Sequence, residues 1–247
     1  PEIAYPTYEV GAQVAGAQPV ACDNPGAIPA GTRLVWINSP SNPSGRIFSR
    51  NQLRAWVAAA HQVGAVLASD ECYGEFAWEA EAISILDPRV NDGDLTGLLA
   101  VHSVSKRSNA AGYRAGFVAG DPALVQDLVQ ARKHLGMMVP GPVQAALIAM
   151  LGDQEHVEEQ RQRYLARRAV LRPALEAADF RVDDSEGSLY LWATRGEPCR
   201  DTIAWLAERG ILAAPGDFYG EAGASHVRIA LTATDERITS AAARLAS

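Results

Sequence analysis

Cysteine is scarce in this 247-residue chain, with three residues, Cys22, Cys72 and Cys199, far apart and forming no C-x-x-C. An odd, scattered set builds no disulfide framework and no thiolate metal site; it fits reduced thiols in a cytoplasmic protein. Basic charge is also short. Lys+Arg number 22 against 29 Asp+Glu, a formal net charge of −7 with a pI near 5.3. Binding a nucleic-acid backbone needs a basic stripe, so that class of partner is excluded. No apolar run reaches the roughly 18 residues a membrane-spanning helix requires, and no signal-peptide pattern opens the chain. Internal repeats and low-complexity tracts are missing. The five histidines, His61, His102, His134, His156 and His226, show no ligand spacing. There is no G-x-x-x-x-G-K-[ST], no H-E-x-x-H and no G-x-S-x-G. No metal is expected, and neither P-loop nor serine-hydrolase chemistry is indicated.

What remains is an ordinary globular composition, 48% hydrophobic and 21% charged. At about 150 residues per domain, the length suits one large domain or two smaller ones. Arg33 to Asn38 is a short apolar run entering the loop Ser39-Pro40-Ser41-Asn42-Pro43-Ser44-Gly45, which reads as a buried strand and a tight turn. Ser49 is placed to cap an amphipathic helix over Gln52 to His61, closed by Gly64. Further strands are expected at Ala65–Asp70, Gly97–Ser103 and Ala115–Gly120. Strands alternating with helices predict an α/β domain with a mainly parallel, buried sheet over residues 1–150. Helices follow from Asp121-Pro122 to about Leu135, from Pro142 to Leu151, and along Gln154–Ala178, where Val157, Tyr164, Leu171 and Leu175 recur at helical spacing. Strands at Phe180–Val182, Ser188–Thr194 and Val227–Leu231, with helices near Asp201–Arg209 and Asp235–Leu245, predict a smaller α+β domain over residues 151–247.

The most informative segment runs from Ser103-Val104-Ser105-Lys106 to Tyr113-Arg114-Ala115-Gly116. A lysine at a strand end is ordinarily a solvated charge. Here two serines, a glycine and an arginine surround it, a set able to form a phosphate cup beside an amine. An amine of lowered pKa can form a Schiff base with a carbonyl. The segment resembles the lysine motif of the class I/II aminotransferases, pyridoxal-phosphate enzymes of fold type I, in which S-x-S-K is followed by six residues and then x-R-x-G. Every fixed place is filled. The resemblance implies pyridoxal 5'-phosphate as cofactor, Lys106 as its Schiff-base residue and the acid/base of catalysis, and Ser103 and Arg114 as phosphate ligands. The arginine's planar donor fork suits phosphate oxygens.

Other segments match the same family in chain order. Asn42-Pro43-Ser44-Gly45 is similar to its N-P-[TS]-G loop, which implies that Asn42 donates to the cofactor's phenolic oxygen; alone it reads as an ordinary Asn-Pro turn. Asp70-Glu71-Cys72-Tyr73 resembles its D-x-x-Y. That implies Asp70 against the pyridine nitrogen, where an anion favours the protonated ring, and Tyr73 at the phenolic oxygen. By itself Asp70 serves equally well as a helix cap. Tyr5 falls, by spacing to the Ala15-Gly16-Ala17 strand region, where the family stacks an aromatic ring on the cofactor; a core tyrosine is the equal alternative. His226-Val227-Arg228-Ile229 resembles the family's C-terminal V-R-[IL] strand, which implies that Arg228 binds the substrate carboxylate; on pattern alone Arg228 is an outward, solvated position. Gly216 to Gly220 reads as a turn beside the smaller domain's strands.

Within the family, Ser69–Tyr73, Arg132–Pro140, Leu189–Gly196 and Ala214–Gly220 resemble the N-succinyldiaminopimelate aminotransferases of actinobacteria. That implies amino transfer between N-succinyl-LL-2,6-diaminopimelate and 2-oxoglutarate/glutamate, in lysine and peptidoglycan-precursor synthesis. It also implies a small amino acid and 2-oxo acid as partners and a homodimer in the full-length protein. Alternatives on the same scaffold are another class I/II aminotransferase, a pyridoxal-phosphate carbon–sulfur lyase, and the aminotransferase-like sensor domain of a transcription regulator. Family members carry a portion ahead of the stretch matching Pro1, with a phosphate-holding glycine loop and a substrate-covering arm. The sequence is therefore expected to be an N-terminally incomplete piece of such a protein.

Overall fold

The computed structural model describes residues 1–246, with two four-stranded sheets joined by a long helix. In chain order, helix α1 (Thr7–Val14) leads to strand β1 (Leu34–Asn38), α2 (Arg50–Val63), β2 (Val66–Asp70), α3 (Pro88–Asn91), β3 (Leu98–Ser103), α4 (Val104–Arg107) and β4 (Gly116–Gly120). Then come α5 (Pro122–His134), α6 (Gly141–Gly152) and α7 (Glu155–Ala177). The remainder is β5 (Arg181–Asp183), β6 (Tyr190–Thr194), α8 (Cys199–Glu208), β7 (Ala214–Pro215), β8 (Val227–Ala230) and α9 (Asp235–Leu245). No helix among the described residues is long and apolar enough to cross a membrane.

The first sheet has the order β1-β2-β3-β4. Its first two pairings are parallel and the last is antiparallel. The crossover between β1 and β2 is α2. Ser49 accepts from the Gln52 amide while the Gln52 side chain accepts from the Ser49 N–H, and Gly64 in the left-handed conformation stops the helix. Leu53, Trp56, Val57 and Ala60 bury one face against Ile37, Leu67 and Leu98 of the sheet. A parallel sheet gathers the carboxyl ends of its strands on one side, and a ligand site forms there. Here Asn38 lies in register with Asp70, and Asp70 with Val101, so the loops after β1, β2 and β3 emerge together.

The second sheet has the order β5-β6-β8-β7 and is antiparallel throughout. Helix α7 buries Val157, Tyr164, Leu171 and Leu175, the positions whose spacing predicts its inner face. Leu171, Leu175, Leu189, Leu191, Val227, Ile229 and Ile238 share one core, which also takes in Tyr73 and Phe76 from the loop after β2. The backbone joins the two sheets as well. Ser185 N–H donates to the Ser44 carbonyl and Gly187 N–H to the Gly45 carbonyl, each at 2.8 Å.

Two expectations are corrected. Ala15–Ala17 is the turn closing α1, not part of a strand: Ala15 and Ala17 bond back to Gly11 and Ala12. Thr7–Val14 ahead of it is a helix with no buried residue, so it has no apolar stripe for a reading of period to find. Residues Gly216–Tyr219, read as a turn, form a 3₁₀ helix.

Candidate active site

The loop after β1 is built by Asn38. Its buried side chain donates to the Pro40 and Asp70 carbonyls and accepts from the Asn42 N–H at 2.8 Å. Asn42 is thereby held, buried, at the mouth of the sheet. Its Oδ1 accepts a 2.9 Å bond from Arg228 Nη1, a residue of the second sheet. The contact spans 186 positions of sequence.

Asp70 ends β2. Its Oδ1 accepts from the Cys72 N–H at 3.1 Å, and its Oδ2 from the Tyr8 hydroxyl at 2.7 Å. Tyr8 lies against the Trp36 ring, and burial together with the Asp70 carboxylate pushes its phenol far above the ordinary range. It is therefore a permanent neutral donor to Asp70. Cys72 is raised as well, by burial and then by Asp70, while the Lys106 ammonium works in the opposite direction. Cys72 is thus within electrostatic reach of both Asp70 and Lys106.

Tyr73 is 5% exposed, and its hydroxyl shares a 3.2 Å hydrogen bond with the Tyr190 hydroxyl. Burial dominates the upward shift of its phenol; Tyr190 and Asp70 add to it and Arg228 opposes it. Arg228 stands over the Tyr190 ring at 3.9 Å and the Tyr219 ring at 5.2 Å. Burial moves the Tyr219 phenol up to about 12. Arg228 is therefore half-buried in an aromatic niche on the face of the sheet opposite Val227 and Ile229, not outward and solvated.

Lys106 sits in α4, in the tight connection between β3 and β4. Among the described residues its Nζ has neither a hydrogen bond nor an ion pair. Ser103 caps that helix, accepting from the Ser105 N–H, with its single hydroxyl proton placed to reach either Ser105 Oγ or the Ala115 carbonyl. Arg114, adjoining Ala115, is exposed with a left-handed backbone, and its guanidinium turns back to the Ala111 carbonyl. Strand pairing thus brings Ser103 and Arg114 close in the backbone, but their side chains do not meet. Tyr5 is 43% exposed, in a segment tied by the Ala4 N–H to the Tyr219 carbonyl.

Asn42, Asp70, Tyr73, Lys106 and Arg228 therefore converge, while Ser103, Arg114 and Tyr5 lie at the margin. Sequence reasoning missed Asn38, Tyr8 and Tyr190. A polar residue ending an apolar strand was the available signal for Asn38. For Tyr8 and Tyr190 no local signal exists, because their partners lie 62 and 117 positions away. Beside the convergence lies a cavity of about 270 Å³ lined by Cys72 and Ser103 together with Glu71, His102, Arg107 and Phe117. It does not include Lys106 or Arg228.

Two groups in the convergence lack partners of their own among the described residues: Arg228 Nε is buried without an acceptor, and Lys106 Nζ has no hydrogen bond or ion pair. A donor missing its anion and an amine missing its partner, beside a carboxylate and a phenol, suit a ligand carrying a carboxylate and a carbonyl.

The sequence model of the family described as aminotransferase class I and II matches residues 1–245. A probable aminotransferase of Mycobacterium tuberculosis (strain ATCC 25618 / H37Rv) is 58% identical over 246 residues, which is 99% of this chain and 59% of that protein. The 4-dedimethylamino-4-oxo-anhydrotetracycline transaminase OxyQ of Streptomyces rimosus is also 58% identical, over 99% of this chain and 68% of its own length. Among solved structures, the N-succinyldiaminopimelate aminotransferase from Mycobacterium tuberculosis superposes with a TM-score of 0.88 at 25% identity, covering 99% of this chain and 69% of that one. An aminotransferase from Staphylococcus aureus gives 0.88 at 27% identity, covering 100% and 69%. The chain thus spans between 59% and 69% of the length of these relatives.

Proposed function

Because this chain belongs to the family of class I and II aminotransferases, we propose that it carries the amine and carboxylate-binding side of an enzyme moving an amino group between an amino acid and a 2-oxo acid. The fold is fold type I of the pyridoxal-phosphate enzymes, and the family's cofactor is pyridoxal 5'-phosphate. The observation that carries the reading is Arg228. Its Nη1 is fixed on Asn42, while its buried Nε waits for an anion within the same cluster as Tyr73.

The residues present fit that cofactor. Lys106 would hold its carbonyl carbon, Asp70 its ring nitrogen, and Asn42 and Tyr73 its phenolic oxygen, while Ser103 and Arg114 would reach its phosphate, and Tyr5 its ring face, only by turning inward from the margin of the site. When bound, pyridoxal phosphate supplies a carbonyl carbon for the amino group and a ring that takes up the electrons released at the substrate Cα. Arg228 binds the substrate α-carboxylate through charge-assisted bonds and so aims Cα toward Lys106. Lys106 Nζ, with no competing partner among the described residues, removes the proton from Cα and returns it in the reverse half of the cycle. Asp70 keeps a negative charge where the ring nitrogen sits, and the Tyr8 and Cys72 donors hold its carboxylate in place. Tyr73 stays protonated at working pH, since burial keeps its phenol well above the ordinary range, and therefore acts as a donor.

The finer reading is N-succinyl-LL-2,6-diaminopimelate with 2-oxoglutarate/glutamate, in lysine synthesis through diaminopimelate. It is supported by the structural likeness to a protein of that name. A second reading is amination of a polycyclic ketone, favoured by the 58% identity to a transaminase named for an oxo-anhydrotetracycline. We place the enzyme in the cytoplasm, where three free thiols persist. A homodimer is supported by the exposed apolar side chains of Ile148, Leu151 and Met138 around α6.

The test is an amino-transfer assay of the cofactor-loaded protein with glutamate as donor and each class of ketone as acceptor, beside a Lys106→Ala control. We expect 2-oxoglutarate to form with wild type and its formation to fall by several orders of magnitude in the variant. Turnover by Lys106→Ala at the wild-type rate would refute the assignment, and the preferred acceptor decides between the two substrates.

A further inference from the structure

Tyr190 has no part in the roles described so far, yet it touches two residues that do. It lies on β6 opposite Ala230 of β8, while Arg228 lies opposite Trp192. Alternate residues of a strand share a face, so Tyr190 and Arg228 are diagonal neighbours on one side of this antiparallel pair. The small Ala230 leaves that face open for a large ring. Tyr190 fills it, 7% exposed, and supports the Arg228 guanidinium at 3.9 Å from the ring centroid. Its hydroxyl reaches the other way, to the Tyr73 hydroxyl at 3.2 Å, with the two rings edge to face at 5.8 Å.

We propose that Tyr190 is a positioning residue that sets the Arg228 guanidinium and the Tyr73 hydroxyl at the same time, linking the carboxylate-binding end of the site to its phenol. Arg228 is a long, flexible side chain whose rotamer freedom must be lost before it can receive a carboxylate at a defined place. Two contacts remove that freedom. Asn42 takes Nη1, and the Tyr190 face holds the guanidinium plane. With Nη1 engaged and the face covered, Nε and Nη2 are left to an incoming carboxylate, and Nε is buried without a partner among the described residues. The hydroxyl has a separate task. Tyr73 is buried, and among the described residues its phenol pairs with no carboxylate and no backbone carbonyl; Tyr190 gives it its hydrogen bond. The ring thus acts on Arg228 and the oxygen on Tyr73, so one substitution separates them.

The inference rests on the aminotransferase reading for its meaning, but it is tested by binding. The affinity of the cofactor-loaded protein for glutarate, a dicarboxylate with nothing to transfer, is measured by calorimetry in wild type, Tyr190→Phe, Tyr190→Leu and Arg228→Ala. Tyr190→Phe keeps the aromatic face and is expected to bind glutarate within about twofold of wild type. Tyr190→Leu removes the face, and loss of a desolvated cation–π contact is expected to weaken binding by about tenfold. Equal affinity of wild type and Tyr190→Leu overturns the proposal. Glutarate binding indifferent to Arg228→Ala overturns both the proposal and the carboxylate role assigned above. A wild type that binds glutarate through Arg228 but transfers no amino group defeats the functional reading alone.

The hydroxyl is tested in a double-mutant cycle on kcat with Tyr73→Phe, which also serves if Tyr190→Leu does not fold. Tyr190→Phe is expected to lower kcat by about fivefold in the wild-type background and to have little further effect beside Tyr73→Phe. Independent, multiplicative effects would show that the two hydroxyls do not act together.

Discussion

Lys106 and Lys133 are the only lysines of the chain, and they meet different surroundings. Lys133 lies in the last turn of α5, exposed, a cation where a helix C-terminus favours one. Lys106 is partly buried at the carboxyl end of the first sheet, without a bond of its own among the described residues and within reach of Cys72. Incubation with pyridoxal phosphate followed by borohydride is therefore expected to fix the pyridoxyl group on Lys106, with peptide mass spectrometry as the readout. Equal labelling of Lys133 would mean that exposure alone governs the reaction. Much of the site is visible at this scale in the sequence, since Asn42, Asp70, Tyr73, Lys106 and Arg228 each stand in a short pattern. The residues that hold them are not. Asn38, Tyr8 and Tyr190 act through partners distant in sequence or through loop geometry, and a pattern of neighbours carries neither.

At the scale of elements, the junction between the two sheets is the sensitive point. Gly45 has φ +74° and lies so close to the 185–187 turn that an added Cβ would sit 2.5 Å from the Gly187 carbonyl oxygen and 2.9 Å from Ser185 Cα. Both neighbours are backbone and cannot swing aside. Gly45→Ala is expected to destabilise the protein by about 3 kcal/mol, from left-handed strain plus overpacking. It is also expected to lower kcat/KM, because Asn42 meets Arg228 across the same junction. Urea unfolding and steady-state kinetics check both effects. An Ala variant with unchanged midpoint and unchanged kinetics would show that the junction yields. The helices illustrate what periodicity reveals. The four apolar positions of α7 that recur at helical spacing are its buried ones, and the Ser49 cap and Gly64 stop bound α2, because burial on one face and capping are written within a few residues. Helix α1 has no fully buried residue and turns the partly buried Tyr8 into the protein, and β7, two residues long, is made by its pairing with β8; neither leaves a local trace.

For the whole molecule, the buried phenols set a limit at high pH. Burial raises Tyr8, Tyr73 and Tyr219 in the folded state, Tyr219 to about 12, against an ordinary value of about 10. Above pH 10 the unfolded chain releases these protons while the folded chain keeps them. The unfolded state then binds fewer protons, and stability falls as pH rises. Stability is thus expected to hold up to about pH 10 and to decline between about 10 and 12. Tyr219→Phe is expected to flatten part of that slope, read from urea midpoints across the pH range. A midpoint indifferent to pH through this window would contradict the burial of these phenols.

The sequence by itself determined the chemistry available: an amine, a carboxylate, a phenol and an arginine, each at a strand end or on a strand, together with the alternation of helices and strands that builds an α/β sheet. These are local properties, since a residue type, its flanking glycines and its spacing are all contained in a short window. Only the tertiary structure decided which of them act together. Whether Arg228 faces solvent or a site depends on the second sheet docking beside the Asn42 loop. Whether it is aimed depends on a tyrosine face from the neighbouring strand. Those facts follow from burial of one shared core, in which Tyr73 and Phe76 pack with Leu171, Leu189 and Val227. Core burial is a free energy summed over the whole chain, and no window of the sequence contains it.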